Sequence, residues 1–200
     1  MKTFLLRLKT TVAVDVDSRK MNASSMLQPV PDCWFLFLDI DGVLNSNHSR
    51  AARMERPGCT MLEAGIPSAE HLALLERLVT ELPVTCKIVL SSTWRLDPED
   101  RQLVVSALST VGLELSGDTP DLGLGSNRVQ EINQWLENNQ PGAAPVWIAV
   151  DDMLLTRYDA GGGEAIGEDH FERTFDTVGL SADNVASAVE KVRRQLRRTT

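Results

Sequence analysis

The chain is short of long apolar runs, of cysteine and of basic charge, and each shortage removes a class of protein. No stretch approaches the roughly twenty apolar residues that a bilayer-crossing helix needs. The opening Met1-Lys2-Thr3-Phe4-Leu5-Leu6-Arg7 has a basic start but too short an apolar core for a secretory signal, and Asp15 and Asp17 argue against an acid-poor transit peptide. The three cysteines, Cys33, Cys59 and Cys86, are odd in number and far apart. They form no Cys-x-x-Cys pair, which excludes a disulfide framework and the usual zinc spacings. A reducing compartment, the cytoplasm, is the expectation. Basic residues number 20 against 28 acidic, a formal net charge of −8. Such a chain has no global attraction for nucleic acid or anionic membrane and must use local patches.

What remains is an ordinary soluble composition over 200 residues, enough to bury the core of one domain. Residues 1–31 read as an N-terminal extension closed by Pro29-Val30-Pro31, and residues 32–200 as the domain. Short apolar runs alternate with helical patterns. Trp34–Leu38 is the first strand. Ser46–Pro67 is polar and irregular, a loop or small flap. Ser68 caps a helix with Leu72, Leu75, Leu78, Val79 and Leu82 on one face. Cys86–Leu90 is a second strand, and Asp97-Pro98-Glu99 starts a helix that Gly112 can end. Leu113–Leu115 is a brief third strand. A further helix is capped by Ser126 or Asn127 and turns Val129, Ile132, Trp135 and Leu136 inward. Pro145–Val150 is the fourth strand, Phe171–Phe175 the fifth, and Ser181 caps the last helix. Strands alternating with helices indicate an α/β fold with a doubly wound parallel sheet. Gly161-Gly162-Gly163 is a weak phosphate-loop signal, lacking the strand and helix that should flank it.

The chemistry concentrates at Phe37-Leu38-Asp39-Ile40-Asp41-Gly42-Val43. An apolar strand buried on both faces ends in two carboxylates one residue apart, where open parallel sheets place their sites. An Asp-Gly turn into a hairpin is the competing reading. Two converging carboxylates repel unless a proton or cation lies between them, and Mg²⁺, an oxygen-seeking ion, suits them. Two other strand ends are polar as well: Ser91 and Ser92 on the second, Asp151 and Asp152 on the fourth. Arg128 lies between the third and fourth. Val12–Asp17 imitates the pattern, but Ser18 and Arg19 follow it in place of glycine and an apolar residue.

Here the residues resemble a known family. Phe37–Val43 is similar to the first motif of the haloacid dehalogenase-like (HAD) phosphohydrolases. Ile88-Val89-Leu90-Ser91 is similar to the second, and Ile148-Ala149-Val150-Asp151-Asp152 to the fourth. Arg128 stands where the third motif has Lys or Arg, more often Lys. The resemblance covers about Cys33 to Leu196. Val89–Arg95 further resembles HAD domains attached to RNA-repair proteins. The resemblance implies a sheet in the order 5-4-1-2-3. It also implies a Mg²⁺-dependent phosphatase, in which Asp39 attacks phosphorus to give an aspartyl-phosphate and Asp41 is general acid and then base. Ser91, or Ser92 beside it, would bond a phosphoryl oxygen, and Arg128 would neutralise developing charge. Asp39, the Asp41 backbone carbonyl, Asp151 and Asp152 would hold the metal.

The stretch after the first motif is short, so a small flap and no large cap are expected. An open site then suits a bulky phosphorylated substrate: a nucleic-acid end or a phosphoprotein, with a small phosphomonoester also open. Ser92 and Arg95 are the substrate-binding candidates. Trp94 can contact substrate or pack, and solvation is the simpler account of the flap residues His48, Arg50, Arg53 and Arg56. No membrane and no obligate protein partner is inferred. A HAD-like binding module without turnover is the alternative function.

Overall fold

The computed structural model describes residues 32–141, 144–156 and 165–199. The N-terminal extension with its Val12–Asp17 pattern, and the Gly161–Gly163 run, lie outside these residues. β1 (Cys33–Leu38), β2 (Thr85–Leu90), β3 (Leu115–Asp118), β4 (Trp147–Asp151) and β5 (Phe171–Arg173) form one sheet. Its order is β3-β2-β1-β4-β5, which read from the β5 edge is 5-4-1-2-3. Every pairing is parallel. β1 therefore lies at the centre, and the order reverses on either side of it, the crevice in which such sheets bind ligands.

Alternation along the strands sends residues to two separate cores. Trp34, Leu36 and Leu38, with Ile88, Leu90, Ile148 and Val150, pack on α3 (Ala69–Thr80), α4 (Pro98–Ser109) and α6 (Ala182–Arg198). Phe35 and Phe37, with Val89, Trp147 and Ala149, pack on α5 (Arg128–Asn139). On that face Trp135 meets Phe35 and Phe37 edge-on, with ring centroids at 5.2 and 5.4 Å. Trp34, Trp135 and Trp147 are thus core residues. α6 is pinned to the start of β4 by Gln195, whose amide accepts from Trp147 N (3.0 Å) and donates to the Trp147 carbonyl (2.9 Å).

The helix starts follow their caps. Ser68 accepts from His71 N, Asp97 from Glu99 N and Asp100 N, and Ser181 from Asn184 N. Between Ser126 and Asn127 the structure selects Asn127, which forms a reciprocal capping box with Gln130. Arg128 is consequently the first helical residue of α5.

Three expectations need correction. The Ser46–Pro67 segment is not an irregular loop but carries two short helices, α1 (Asn47–Met54) and α2 (Met61–Gly65). Each starts with a capping box, Ser46 with Ser49 and Thr60 with Glu63. The Thr60-x-x-Glu63 spacing was a legible helix signal, obscured by the polar composition around it. β3 begins at Leu115 rather than Leu113, because the α4 exit continues through Gly112 at φ +70° and Leu113 N still bonds the Leu108 carbonyl. β5 ends at Arg173. Thr174 has left the strand, yet its backbone N–H still bonds the Asp151 carbonyl and its hydroxyl donates to the Gly42 carbonyl at 2.8 Å.

Candidate active site

The register places the site. Leu38 pairs with Leu90 on one side and Val150 on the other, so Asp39, Ser91 and Asp151 each come next at the carboxyl ends of three adjacent strands. Arg128 reaches this point from the first turn of α5. One guanidinium nitrogen lies 3.2 Å from Asp39 Oδ1 and 2.7 Å from Asp151 Oδ2, and it also donates to the Ser91 carbonyl. The four residues named from separate motifs are one cluster.

Its electrostatics follow from burial. Burial raises the Asp39 carboxyl above its ordinary pKa, against Arg128 and the hydrogen bonds of Ser92 and the Ile40 backbone. Asp151 is pushed up to about 7, first by burial and then by the Asp39 charge, with Arg128 opposing. Asp152, less buried, is raised by the same two causes. For Arg128, burial works against the charge, but Asp151 and Asp39 outweigh it and the guanidinium is held charged more firmly than usual.

Carboxylate oxygens of Asp39, Asp151 and Asp152 all lie within 4.8 Å of one another. One guanidinium cannot neutralise three carboxylates, and three oxygen donors within reach of one point fit a hard divalent ion such as Mg²⁺. Gly42 makes this approach possible. Its φ is +73°, and a Cβ there would lie 2.3 Å from Asp152 Cγ, so only glycine leaves room for Asp152 against the turn.

Asp41 is placed differently. Its side chain lies outside the three-carboxylate cluster and is 51% exposed, so any share in metal binding falls to its backbone carbonyl. Its Oδ2 accepts from Trp94 Nε1 at 2.8 Å and its Oδ1 from Asn45 Nδ2 at 3.0 Å. Arg50 lies 3.8 Å from the same Oδ1. Neither Asn45 nor this role of Trp94 was apparent from sequence, since no motif spacing links positions 41 and 94.

The two serines separate. Ser92 bonds Asp39, whereas the Ser91 hydroxyl is buried without a hydrogen-bond partner. The Ser91 hydroxyl thus stands at the carboxyl end of β2 with its hydrogen-bonding capacity unused. Arg95, expected as a substrate-binding candidate, is engaged within the chain. Its guanidinium is spent on the carbonyls of Ser92, Thr119 and Pro120 and pairs with Glu131 at 2.7 Å, with its side chain only 5% exposed. It ties the β2 and β3 exits to α5, because a buried arginine must satisfy its donors locally.

Residues 35–185 match the family model described as the HAD domain in Swiss Army Knife RNA repair proteins. The chain belongs to this HAD family. No curated protein and no solved structure matches it. The HAD match spans the sheet from Phe35 to the start of α6 and contains every residue of the cluster. Among the described residues of this HAD domain, no helix is long and apolar enough to cross a membrane.

Proposed function

We propose that the chain is a Mg²⁺-dependent phosphatase that hydrolyses phosphomonoesters through an aspartyl-phosphate at Asp39. The observation that carries this reading is the convergence of Asp39, Ser91, Arg128 and Asp151 on one point, with Asp41 beside it and more accessible. Asp39 attacks phosphorus, the bond to the ester oxygen breaks, and Asp41 gives that oxygen its proton. Asp41 then takes a proton from the water that attacks the aspartyl-phosphate, and the bond from Asp39 to phosphorus breaks to release inorganic phosphate. The free Ser91 hydroxyl donates to a phosphoryl oxygen. Arg128 stands beside the nucleophile, where charge develops, and preorganised cations there carry much of the rate. Asp39, Asp151, Asp152 and the Asp41 carbonyl would hold Mg²⁺, which when bound supplies positive charge to the phosphoryl oxygens.

The half-exposed Asp41 marks the side from which substrate enters, and a short α1–α2 segment suits a bulky substrate. A phosphorylated polynucleotide end is the favoured class, because the family is described by its place in RNA repair proteins. The test is phosphate release from a generic aryl phosphate with Mg²⁺ and with EDTA, beside Asp39→Asn. Mg²⁺-dependent release lost in the variant is the expected result, and a 3′-phosphorylated oligonucleotide is then compared with a phosphopeptide. No release from any of these substrates, together with no Mg²⁺ binding, would leave a HAD-like binding module as the better description.

A further inference from the structure

The proposed reaction asks Asp41 to hand over and take back one proton at a fixed point, yet its side chain is half exposed. An exposed carboxylate on a turn ordinarily samples several rotamers. Here both oxygens are engaged, by donors from different segments: Trp94 Nε1 from the β2 exit at 2.8 Å and Asn45 Nδ2 from the β1 exit at 3.0 Å. Asn45 is itself buried and cannot turn freely. Its Oδ1 accepts from Arg53 Nη2 at 3.1 Å, which fixes the amide so that nitrogen faces Asp41. Arg53 in turn bonds the Ser49 carbonyl at 3.1 Å and the Ile66 carbonyl. The arginine that composition assigned to solvent thus braces α1 against the turn.

We infer that Trp94 and Asn45, with Arg53 behind Asn45, are positioning residues that clamp the Asp41 carboxyl for proton transfer in the reaction proposed above. This inference rests on that reading of Asp41. Two N–H donors, one on each oxygen, fix the carboxyl plane. Each oxygen keeps a further lone pair, so the proton can reside on the group without displacing either donor. The clamp contacts neither phosphorus nor metal. Its effect is on where the proton is delivered, and misplacement at that step costs rate rather than affinity.

The experiment compares wild type, Trp94→Phe and Asn45→Asp on an aryl phosphate and an alkyl phosphate, with Asp41→Asn as reference. Phenylalanine keeps the ring and removes the donor. Aspartate keeps the acceptor for Arg53 and replaces the donor to Asp41, so the two variants perturb folding in different ways. Both should lower kcat with little change in KM. The loss of kcat/KM, which reads the step in which the ester oxygen leaves, should be about tenfold larger for the alkyl ester, whose poor leaving oxygen needs the proton most, matching the trend of Asp41→Asn. Equal losses of kcat/KM on the two esters, or none, in both variants would overturn the clamp while leaving the phosphatase standing. A wild type that hydrolyses neither ester, nor the 3′-phosphorylated oligonucleotide and the phosphopeptide, and that binds no Mg²⁺ would overturn the phosphatase reading, and the clamp with it.

Discussion

A single guanidinium nitrogen of Arg128 stands between Asp39 and Asp151, so the site holds one cation against two buried carboxyls before any metal arrives. Arg128→Met removes it and leaves the carboxylates facing each other. Breaking a buried pair in this way costs about 3–5 kcal/mol. Thermal unfolding in EDTA should show the loss, and Mg²⁺ should restore part of it by substituting charge between Asp39 and Asp151. A variant equally stable with and without Mg²⁺ would mean that the carboxylates do not share a metal. Arg95 carries the opposite lesson at this scale. Its position after the second motif invited a substrate role, yet four local acceptors claim it. Sequence spacing places a residue near a site without saying which way its donors turn.

At the scale of elements, the β1 exit is the piece on which the site depends. Ile40 accepts the backbone N–H groups of Val43, Leu44 and Asn45, and this tight turn brings Asp41 and Gly42 back over the end of β4. Gly42→Ala imposes a left-handed conformation that costs an ordinary residue about 1–2 kcal/mol, and its new methyl would displace Asp152. The sheet should persist by far-UV circular dichroism, while isothermal titration should find Mg²⁺ affinity weakened at least tenfold. Undiminished affinity would show that Asp152 is not needed for the metal. The Asp-Gly pair was legible as a turn. That the turn presses on Asp152 was not, because positions 42 and 152 meet only once β1 and β4 are neighbours. Likewise the α1–α2 segment looked irregular in composition, and its two capping boxes are satisfied locally while its packing depends on Arg53.

For the molecule as a whole, the site trades stability against proton and metal occupancy. The Asp151 carboxyl rises from 3.8 to about 7 in the folded protein without metal. A raised carboxyl contributes stability that is full below its unfolded value and is lost as pH rises through its folded value. This group therefore makes the metal-free protein less stable from pH about 4 upward to just past 7. Mg²⁺ needs the ionised form, so its thermal stabilisation should grow across the same window, with proton release on binding near pH 7. Calorimetric titration in buffers of different ionisation enthalpy reads that proton directly. Stabilisation by Mg²⁺ independent of pH between 6 and 8 would contradict the raised Asp151.

The alternation of strands and helices, the caps at Ser68, Asp97 and Ser181, and the pairing of acids at the ends of β1 and β4 can all be read along the chain. These are local properties: period, capping chemistry and turn residues act over a few positions. Local chemistry also left open the cap, Ser126 or Asn127, and which of the Ser91 and Ser92 hydroxyls finds a hydrogen-bond partner. The folded arrangement settles both, with Leu38 in register with Leu90 and Val150 and Arg128 in the first turn of α5. It alone brought Trp94 to Asp41 and Gly42 against Asp152. Contacts between residues 50 or 100 positions apart depend on which strands are neighbours, and no run of adjacent residues encodes that.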